Sequence, residues 1–175
     1  ASCHLPALAF ADGRARAHGR APLDRNTPSL WNAVHERWWG WDGAADSLWS
    51  QALRPLQDAR ELASNPGHLR RWIDGDADLA CRWRQVFGSP ASDDGALLVQ
   101  AGKALGAFVG TLVSAPTAFD RYRDALQQGD DKAAARYPAA ARRGLQLFVG
   151  RGRCNVCHSG PRFSNGEFAD IGARF

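Results

Sequence analysis

The sequence has 175 residues, of which 45% are hydrophobic and 23% are charged. These shares match soluble globular proteins and exclude disordered, collagen-like and coiled-coil chains. The net charge is +4, but acidic residues are interleaved with the basic ones, so nucleic-acid binding is not expected. No apolar run approaches the ~18 residues that would span a bilayer, and no basic-then-apolar leader opens the chain.

The first third of the sequence predicts an ordered loop that is followed by helices. Residues 5–30 are rich in Gly, Ala, Pro and Arg without a sustained period, which predicts an ordered loop. Short helical pieces follow from Ser29, interrupted at Gly40 and Gly43, and a longer helix is predicted to end at Pro55. Its apolar face consists of Ala45, Leu48, Trp49, Ala52 and Leu53. Five of the seven tryptophans lie between positions 31 and 49, which predicts either a Trp-rich core or a large planar cofactor.

The remainder of the chain predicts further helices. One runs from Pro66 to about Trp72 with Asn65 as its cap, and another covers 79–87. The strongest periodicity follows Asp93 and predicts an amphipathic helix, with apolar positions at Leu97, Ala101, Leu105, Phe108 and Leu112. Residues 114–117 break that pattern and predict a domain boundary. Two more helices are predicted, at 120–126 and from Pro138 to a stop at Gly150. Because no segment alternates like a strand, the fold class is mostly α.

One motif in the sequence has residue types and a spacing that indicate a specific chemical function. Cys154-Asn155-Val156-Cys157-His158 is a complete C-x-x-C-H, the attachment sequence for c-type haem. Two thiols three positions apart can each add to one porphyrin vinyl group, and the adjacent histidine then lies under the iron. A thioredoxin-like C-x-x-C would require a βαβ context, and half of a zinc site would require a second pair of ligands.

The residues around Cys3-His4 predict a second haem. A cysteine before Ala1 would make the chain begin C-A-S-C-H, and the alternative is a free thiol beside a surface histidine. With no Met in the chain, we expect a fragment that lacks residues at both ends. Cys81 has no cysteine or histidine at ligand spacing and is predicted to be a small buried apolar residue. Gly144 and Phe148 share a helical face just before the intact motif, as in the first helix of cytochrome c folds.

The chain resembles the bacterial di-haem cytochrome c peroxidase and MauG family. The resemblance covers nearly the whole sequence and is carried by Cys3-His4, Arg25 to Leu30, Trp41-Asp42-Gly43, Gln51 to Pro55, Glu61, Phe119 to Tyr122 and Gly144 to His158. It implies two cytochrome c-like domains, an N-terminal peroxidatic haem domain over 1–115 and the start of a C-terminal electron-transfer haem domain over 116–175, incomplete at its end. His4 would be the proximal ligand of the first haem and His158 that of the second.

The resemblance also implies roles for residues that would otherwise have plainer explanations. Trp41 matches the electron bridge between the haems, where core packing is the alternative. Glu61 matches the distal acid with Gln51 beside it, whereas without the resemblance it would be an exposed helix-end glutamate. His18 matches a removable distal iron ligand, and Asn26 matches a ligand of a structural calcium. Alone, they would be a loop histidine and a helix cap.

The implied reaction is the reduction of hydrogen peroxide with electrons from a small periplasmic cytochrome or cupredoxin. Heterolytic O–O cleavage moves a proton between the two oxygens, which a carboxyl group in a fairly dry pocket can relay. The alternatives are a MauG-like oxidase that modifies a partner protein and an electron-carrier cytochrome with both irons fully ligated. The sixth ligand of the second haem would be a Met beyond Phe175 or a Tyr, with His35 and His68 as further candidates. The resemblance implies a periplasmic protein, and a homodimer is one expected assembly.

Overall fold

The structure is a computed structural model that describes residues 2–170 and Gly172. The described residues form seven α-helices and no strand, which confirms the mostly α prediction: α1 (Leu48–Gln57), α2 (Pro66–Gly75), α3 (Ala77–Phe87), α4 (Asp94–Gly110), α5 (Ala118–Gln128), α6 (Asp131–Ala134) and α7 (Ala139–Val149). Short 3-10 turns occur at Pro6–Leu8, Ala33–His35 and Cys154–Val156. Ala1, the first residue of the predicted truncated haem motif, lies outside the described residues.

The chain divides into two compact units, Ala1–Val113 and Ser114–Phe175. In the first unit, α2, α3 and α4 enclose a hydrophobic core formed by Leu69, Ile73, Trp83, Leu97 and Ala101. The indole N–H of Trp83 donates to Gln100 Oε1 at 3.2 Å, and the same oxygen accepts the Ala91 N–H at 3.1 Å. Because this one side chain satisfies both donors, Gln100 ties the loop between α3 and α4 to the core.

Two glycines of α4 allow α1 to pack closely against it. A Cβ atom on Gly102 would lie 2.7 Å from the Trp49 carbonyl oxygen and 3.2 Å from Leu53 Cγ. A Cβ atom on Gly106 would lie 3.1 Å from the Trp49 backbone nitrogen. Since backbone atoms cannot rotate away, glycine at both positions sets the separation of α1 and α4. This contact fixes the helix that carries Gln51.

The predicted helix ends lie within a few residues of the observed ones, and the clearest difference is at Pro55. The Asn65 side chain accepts the His68 N–H at 2.9 Å, which confirms the predicted cap of α2. The prediction that Pro55 ends α1 is wrong, because the helix continues to Gln57. A proline inside a helix removes only its own N–H bond, and the last turn forms beyond it because Asp58 N–H donates to the Arg54 carbonyl oxygen at 2.9 Å.

Three other sequence expectations are wrong or only partly right. Cys81 is exposed on α3 rather than buried. The α4 stripe is buried at Leu97 and Ala101, but Phe108 is 59% exposed. The Trp-rich segment does not form a core, because Trp41 is 54% exposed and Trp83, which lies outside that segment, is the tryptophan in the buried core. Among the described residues, no helix is both long and apolar enough to cross a bilayer.

The second unit is organised by a capping box and a cluster of aromatic rings. The Thr117 hydroxyl accepts the Asp120 N–H, and the Asp120 carboxylate accepts the Thr117 N–H in return at 2.7 Å, which starts α5. Five rings then join α5, α7 and the segments beside them: Phe119, Tyr122, Tyr137, Phe148 and Phe163. The cluster brings the segment after the C-x-x-C-H motif, through Phe163, onto α5 and α7.

Candidate functional site

The intact C-x-x-C-H motif forms a tight turn held by the end of α7. Gly152 N–H donates to the Leu147 carbonyl oxygen at 2.8 Å, and a Cβ atom on Gly152 would lie 2.7 Å from that oxygen. Within the turn, His158 N–H donates to the Cys154 carbonyl oxygen at 2.9 Å. Cys154 and Cys157 are free, exposed thiols. The turn thus presents two thiols and an imidazole together at the surface.

A hydrogen bond from Nδ1 orients the His158 ring. Its Nδ1 lies 3.0 Å from the Phe163 carbonyl oxygen. A carbonyl oxygen can only accept, so Nδ1 is the donor, and in the neutral ring Nε2 then has the lone pair. Phe163 has a φ of 51°, in the left-handed region, which turns its carbonyl toward the ring. An imidazole held by Nδ1 with a free Nε2 is what a metal ligand requires.

His4 in the first unit has the same arrangement. Its Nδ1 lies 2.7 Å from the carbonyl oxygen of Phe10, whose φ is 59°, so Nε2 is again the free nitrogen. The Phe10 ring packs edge-on against Trp31, with centroids 5.4 Å apart. Sequence reasoning missed both carbonyl partners. The available signal was a phenylalanine six positions after His4 and five after His158.

Glu61 lies in a turn that follows α1. Its N–H donates to the Asp58 carbonyl oxygen at 3.0 Å, and the Asp58 carboxylate accepts the Arg60 N–H at 2.7 Å. Partial burial, followed by the negative charge of Asp58, raises the pKa of the Glu61 carboxyl, while Arg60, His4 and Arg54 oppose that shift. The structure therefore places the predicted acid in the electrostatic neighbourhood of the predicted proximal histidine, in an environment that favours holding a proton.

The loop that carries His18 packs directly on the Glu61 turn. The Arg60 carbonyl oxygen accepts the N–H groups of Arg20, at 2.6 Å, and Ala21, at 3.0 Å. A Cβ atom on Gly19 would lie 2.5 Å from that oxygen and 2.8 Å from Glu61 Cα, so only glycine permits this approach. His18 is exposed, and its Nδ1 lies 3.1 Å from the Gly19 carbonyl oxygen. Its Nε2 is therefore also free to bind a metal.

Gln51 presents a buried acceptor without a donor. Among the described residues, its Oε1 is the buried side-chain atom that lacks a hydrogen-bond partner. Gly40, with a φ of 80°, lies against it, and a Cβ atom there would be 3.3 Å from Oε1. Buried polar atoms are nearly always satisfied in folded proteins. Because Gln51 Oε1 on α1 has no donor among the described residues, it could accept a hydrogen bond from a bound ligand or water molecule.

Trp41 and Asn26 are brought together, although the sequence assigned them separate roles. The Trp41 indole N–H donates to the Asn26 carbonyl oxygen at 2.8 Å, and the ring itself is more than half exposed. His35 and His68 are exposed on other elements. Within the described part of the chain, no group of three or more His, Cys, Asp or Glu side chains could hold a metal ion. A calcium ligand role for Asn26 stays a prediction, because calcium requires about six to eight oxygen ligands.

The residues fit haem rather than a protein-only metal site. A C-x-x-C-H turn with free thiols, two imidazoles with free Nε2 atoms and an orphaned buried acceptor correspond to what haem iron and its porphyrin require. The fold and the site define the class of c-type cytochromes. The family model for di-haem cytochrome c peroxidase matches residues 1–128, and the chain belongs to this family.

Individual relatives agree with this assignment. The methylamine utilization protein MauG of Methylorubrum extorquens is 39% identical over 99% of the chain and 47% of its own length. The cytochrome c551 peroxidase of Pseudomonas aeruginosa is 32% identical over 98% of the chain and 47% of its length. The crystal structure of a MauG-like protein associated with microbial copper homeostasis superposes with a TM-score of 0.71 at 26% identity, covering 97% of this chain and 49% of that one. The chain thus spans about half the length of these relatives.

Proposed function

We propose that the chain is the haem-carrying part of a di-haem c-type peroxidase that reduces hydrogen peroxide with electrons from a small redox protein. Membership of the di-haem peroxidase family supports the class of reaction. The single observation that carries the proposal is Glu61, a partly buried carboxyl group with a raised pKa in the unit that contains His4. A pure electron carrier would have no use for such an acid beside its haem.

The proposed haem ligands come from both units. Cys3 and His4 would hold the peroxidatic haem of the first domain, 1–115, and Cys154, Cys157 and His158 would hold the electron-transfer haem of the second, 116–175. Each thiol would add across a vinyl double bond, sulfur to one carbon and hydrogen to the other, which forms a thioether. When bound, the haems supply iron centres that exchange electrons with peroxide and with the donor.

Glu61 would handle the proton during O–O cleavage. Its ionised carboxylate accepts the proton of one peroxide oxygen and returns it to the other, which then leaves as water. The raised pKa matches this role, because the group must both take up and release a proton near neutral pH. Gln51, with its unpaired buried oxygen, would orient the peroxide hydrogen or a water molecule next to Glu61.

Three further residues have proposed supporting roles. Trp41 would carry electrons between the haems, and its hydrogen bond to Asn26 would fix the ring for that purpose. Asn26 would contribute to a structural calcium site. His18 would close the peroxidatic haem reversibly, because its loop lies against the Glu61 turn and its Nε2 is free. Cytochrome c-type attachment takes place outside the bacterial inner membrane, so we propose a periplasmic location.

A MauG-like oxidase is the second candidate. The observation in its favour is the 39% identity to the methylamine utilization protein MauG, compared with 32% to the cytochrome c551 peroxidase. Such an enzyme would use the same Glu61 with peroxide but would draw its electrons from side chains of a partner protein. The two candidates differ in the reductant, not in the acid.

Replacing Glu61 by Gln in the full-length holoprotein tests the proposal. Because the amide cannot relay a proton, we expect peroxide turnover to fall by about 10²- to 10⁴-fold, with the haem absorbance unchanged. Asp74→Asn is the matched control, since Asp74 is an exposed carboxylate of α2 in the same unit. Unchanged turnover in Glu61→Gln would contradict the proposed role of Glu61, and an absence of peroxide turnover in the unaltered holoprotein would favour an electron-carrier cytochrome.

A further inference from the structure

The two tyrosines of the sequence lie in the second unit and stack on each other. Tyr122 is on α5, and Tyr137 is in the segment between α6 and α7. Their ring centroids are 4.5 Å apart, and the ring planes differ by only 16°. Tyr137 N–H donates to the Ala134 carbonyl oxygen at 3.1 Å, which fixes the backbone beside the second ring. We call these two residues the tyrosine pair.

The tyrosine pair is the most easily oxidised aromatic group in this part of the sequence. All seven tryptophans lie between positions 31 and 83, and the sequence has no methionine. The cysteines after residue 114 are Cys154 and Cys157, whose sulfurs would be bonded to the porphyrin. Phenylalanine and aliphatic side chains give up an electron far less easily than a phenol does. An oxidising equivalent in the second unit would therefore come to rest on the tyrosine pair.

A path of packed rings leads from the tyrosine pair to the haem-attachment motif. The Phe119 ring lies against Tyr137, with centroids 6.4 Å apart, and against Phe163, with centroids 5.5 Å apart. The Phe163 carbonyl oxygen lies 3.0 Å from His158 Nδ1. Electrons cross packed atoms and hydrogen bonds more readily than open gaps. The pair is thus connected to the proposed iron ligand within one compact unit.

Stacking and access to water both favour oxidation of the tyrosine pair. The face of an aromatic ring carries negative potential, so each ring stabilises the positive charge that the other gains when it loses an electron. Tyr122 also lines a groove of about 370 Å³, where water can accept the phenolic proton. Both tyrosines are partly buried, which limits the reaction of a radical on either ring with other molecules.

We propose that the tyrosine pair is a one-electron oxidation site that stores oxidising equivalents when peroxide is present without a donor. The inference rests on the proposed function, which supplies hydrogen peroxide as the oxidant. One tyrosine loses an electron to the oxidised haem held by His158 and a proton to water, which leaves a neutral phenoxyl radical. An electron from the donor and a proton from water later restore the phenol. The pair thereby protects the haem against excess peroxide.

The test uses the full-length di-haem protein, mixed with hydrogen peroxide in the absence of a donor. Freeze-quench electron paramagnetic resonance detects the radical, and ring-deuterated tyrosine identifies it as tyrosyl by a narrowed signal. The variants are Tyr122→Phe, Tyr137→Phe and the double variant, which keep both rings and therefore the packing of the cluster. Trp72→Phe is the matched control, because it removes an exposed oxidisable ring from α2 in the first unit.

We expect the tyrosyl signal in the unaltered protein and in the control, and its loss in the double variant. Repeated additions of peroxide should bleach the haem absorbance of the double variant faster than that of the control. The resting haem spectrum and peroxide turnover with a donor should be unchanged, because the tyrosine pair is neither an iron ligand nor a catalytic group.

A tyrosyl signal that survives in the double variant would overturn the inference and leave the proposed function intact. So would the absence of a signal from unaltered protein that turns over peroxide. Equal bleaching rates would overturn the storage role, and an altered resting spectrum would show instead that a phenol binds iron. An absence of peroxide turnover in the unaltered protein would refute the proposed function and, with its oxidant gone, the storage role as well.

Discussion

Adding one methyl group to α4 should separate α1 from it, and the structure gives the size of the effect. In Gly102→Ala the new Cβ would lie 2.7 Å from the Trp49 carbonyl oxygen, against an ordinary contact of at least 3.4 Å, so the helices must move apart by 0.7 Å (3.4 − 2.7). Overpacking of this kind costs about 1–3 kcal/mol. Alanine has a higher helix propensity than glycine by up to about 1 kcal/mol, which offsets part of this cost. With that gain subtracted, we expect a net destabilisation of up to about 2 kcal/mol.

Two other glycines provide an internal scale for this prediction. Gly106→Ala brings its Cβ to 3.1 Å from the Trp49 nitrogen, which needs a shift of only 0.3 Å (3.4 − 3.1), and Gly75→Ala, at the end of α2, meets nothing within 4 Å. The loss of stability should therefore be largest for Gly102, smaller for Gly106 and absent for Gly75. Thermal unfolding of the holoproteins, followed by far-ultraviolet circular dichroism, gives the order. Equal midpoints for Gly102→Ala and Gly75→Ala would refute the close-packing argument.

Two further predictions concern the acid turn and the start of α5. Asp58→Asn keeps an oxygen to accept the Arg60 N–H but removes the negative charge that helps to raise the pKa of Glu61. That pKa should fall, so the rising limb of the pH profile of kcat/KM for peroxide should move to lower pH, and a limb that stays in place or moves upward would contradict the assignment. Thr117→Ala removes one half of the capping box with Asp120 and should cost about 1 kcal/mol in urea unfolding; no loss would mean that the cap contributes nothing to α5.

Local signals in the sequence were sufficient for most of the helices. Asn65 and Pro66 predicted the start of α2 because a cap and a first-turn proline act within one turn of chain. α6 was missed because Asp131–Ala134 is only four residues long, too short to show a period. Pro55 was misread because a proline costs a helix one hydrogen bond, which the surrounding turns can tolerate near its end.

The site was predictable in its residue types but not in its hydrogen bonds. The C-x-x-C-H motif can be recognised from the sequence alone, because haem attachment fixes the spacing of its residues. The carbonyl partners of His4 and His158 depend on left-handed backbone at Phe10 and Phe163, which non-glycine residues seldom adopt and which tertiary context imposes. The contact between Gly19 and the Glu61 turn joins segments about forty residues apart. No local pattern encodes such a contact.

The carbonyl bonds of His4 and His158 also bear on the iron that each would hold. A ring whose Nδ1 proton is shared with a carbonyl oxygen gains electron density at the opposite nitrogen, which makes it a stronger donor to a ferric centre. The bond at His4, at 2.7 Å, is shorter than the 3.0 Å bond at His158. Both bonds would favour the ferric state of the iron that each histidine would hold.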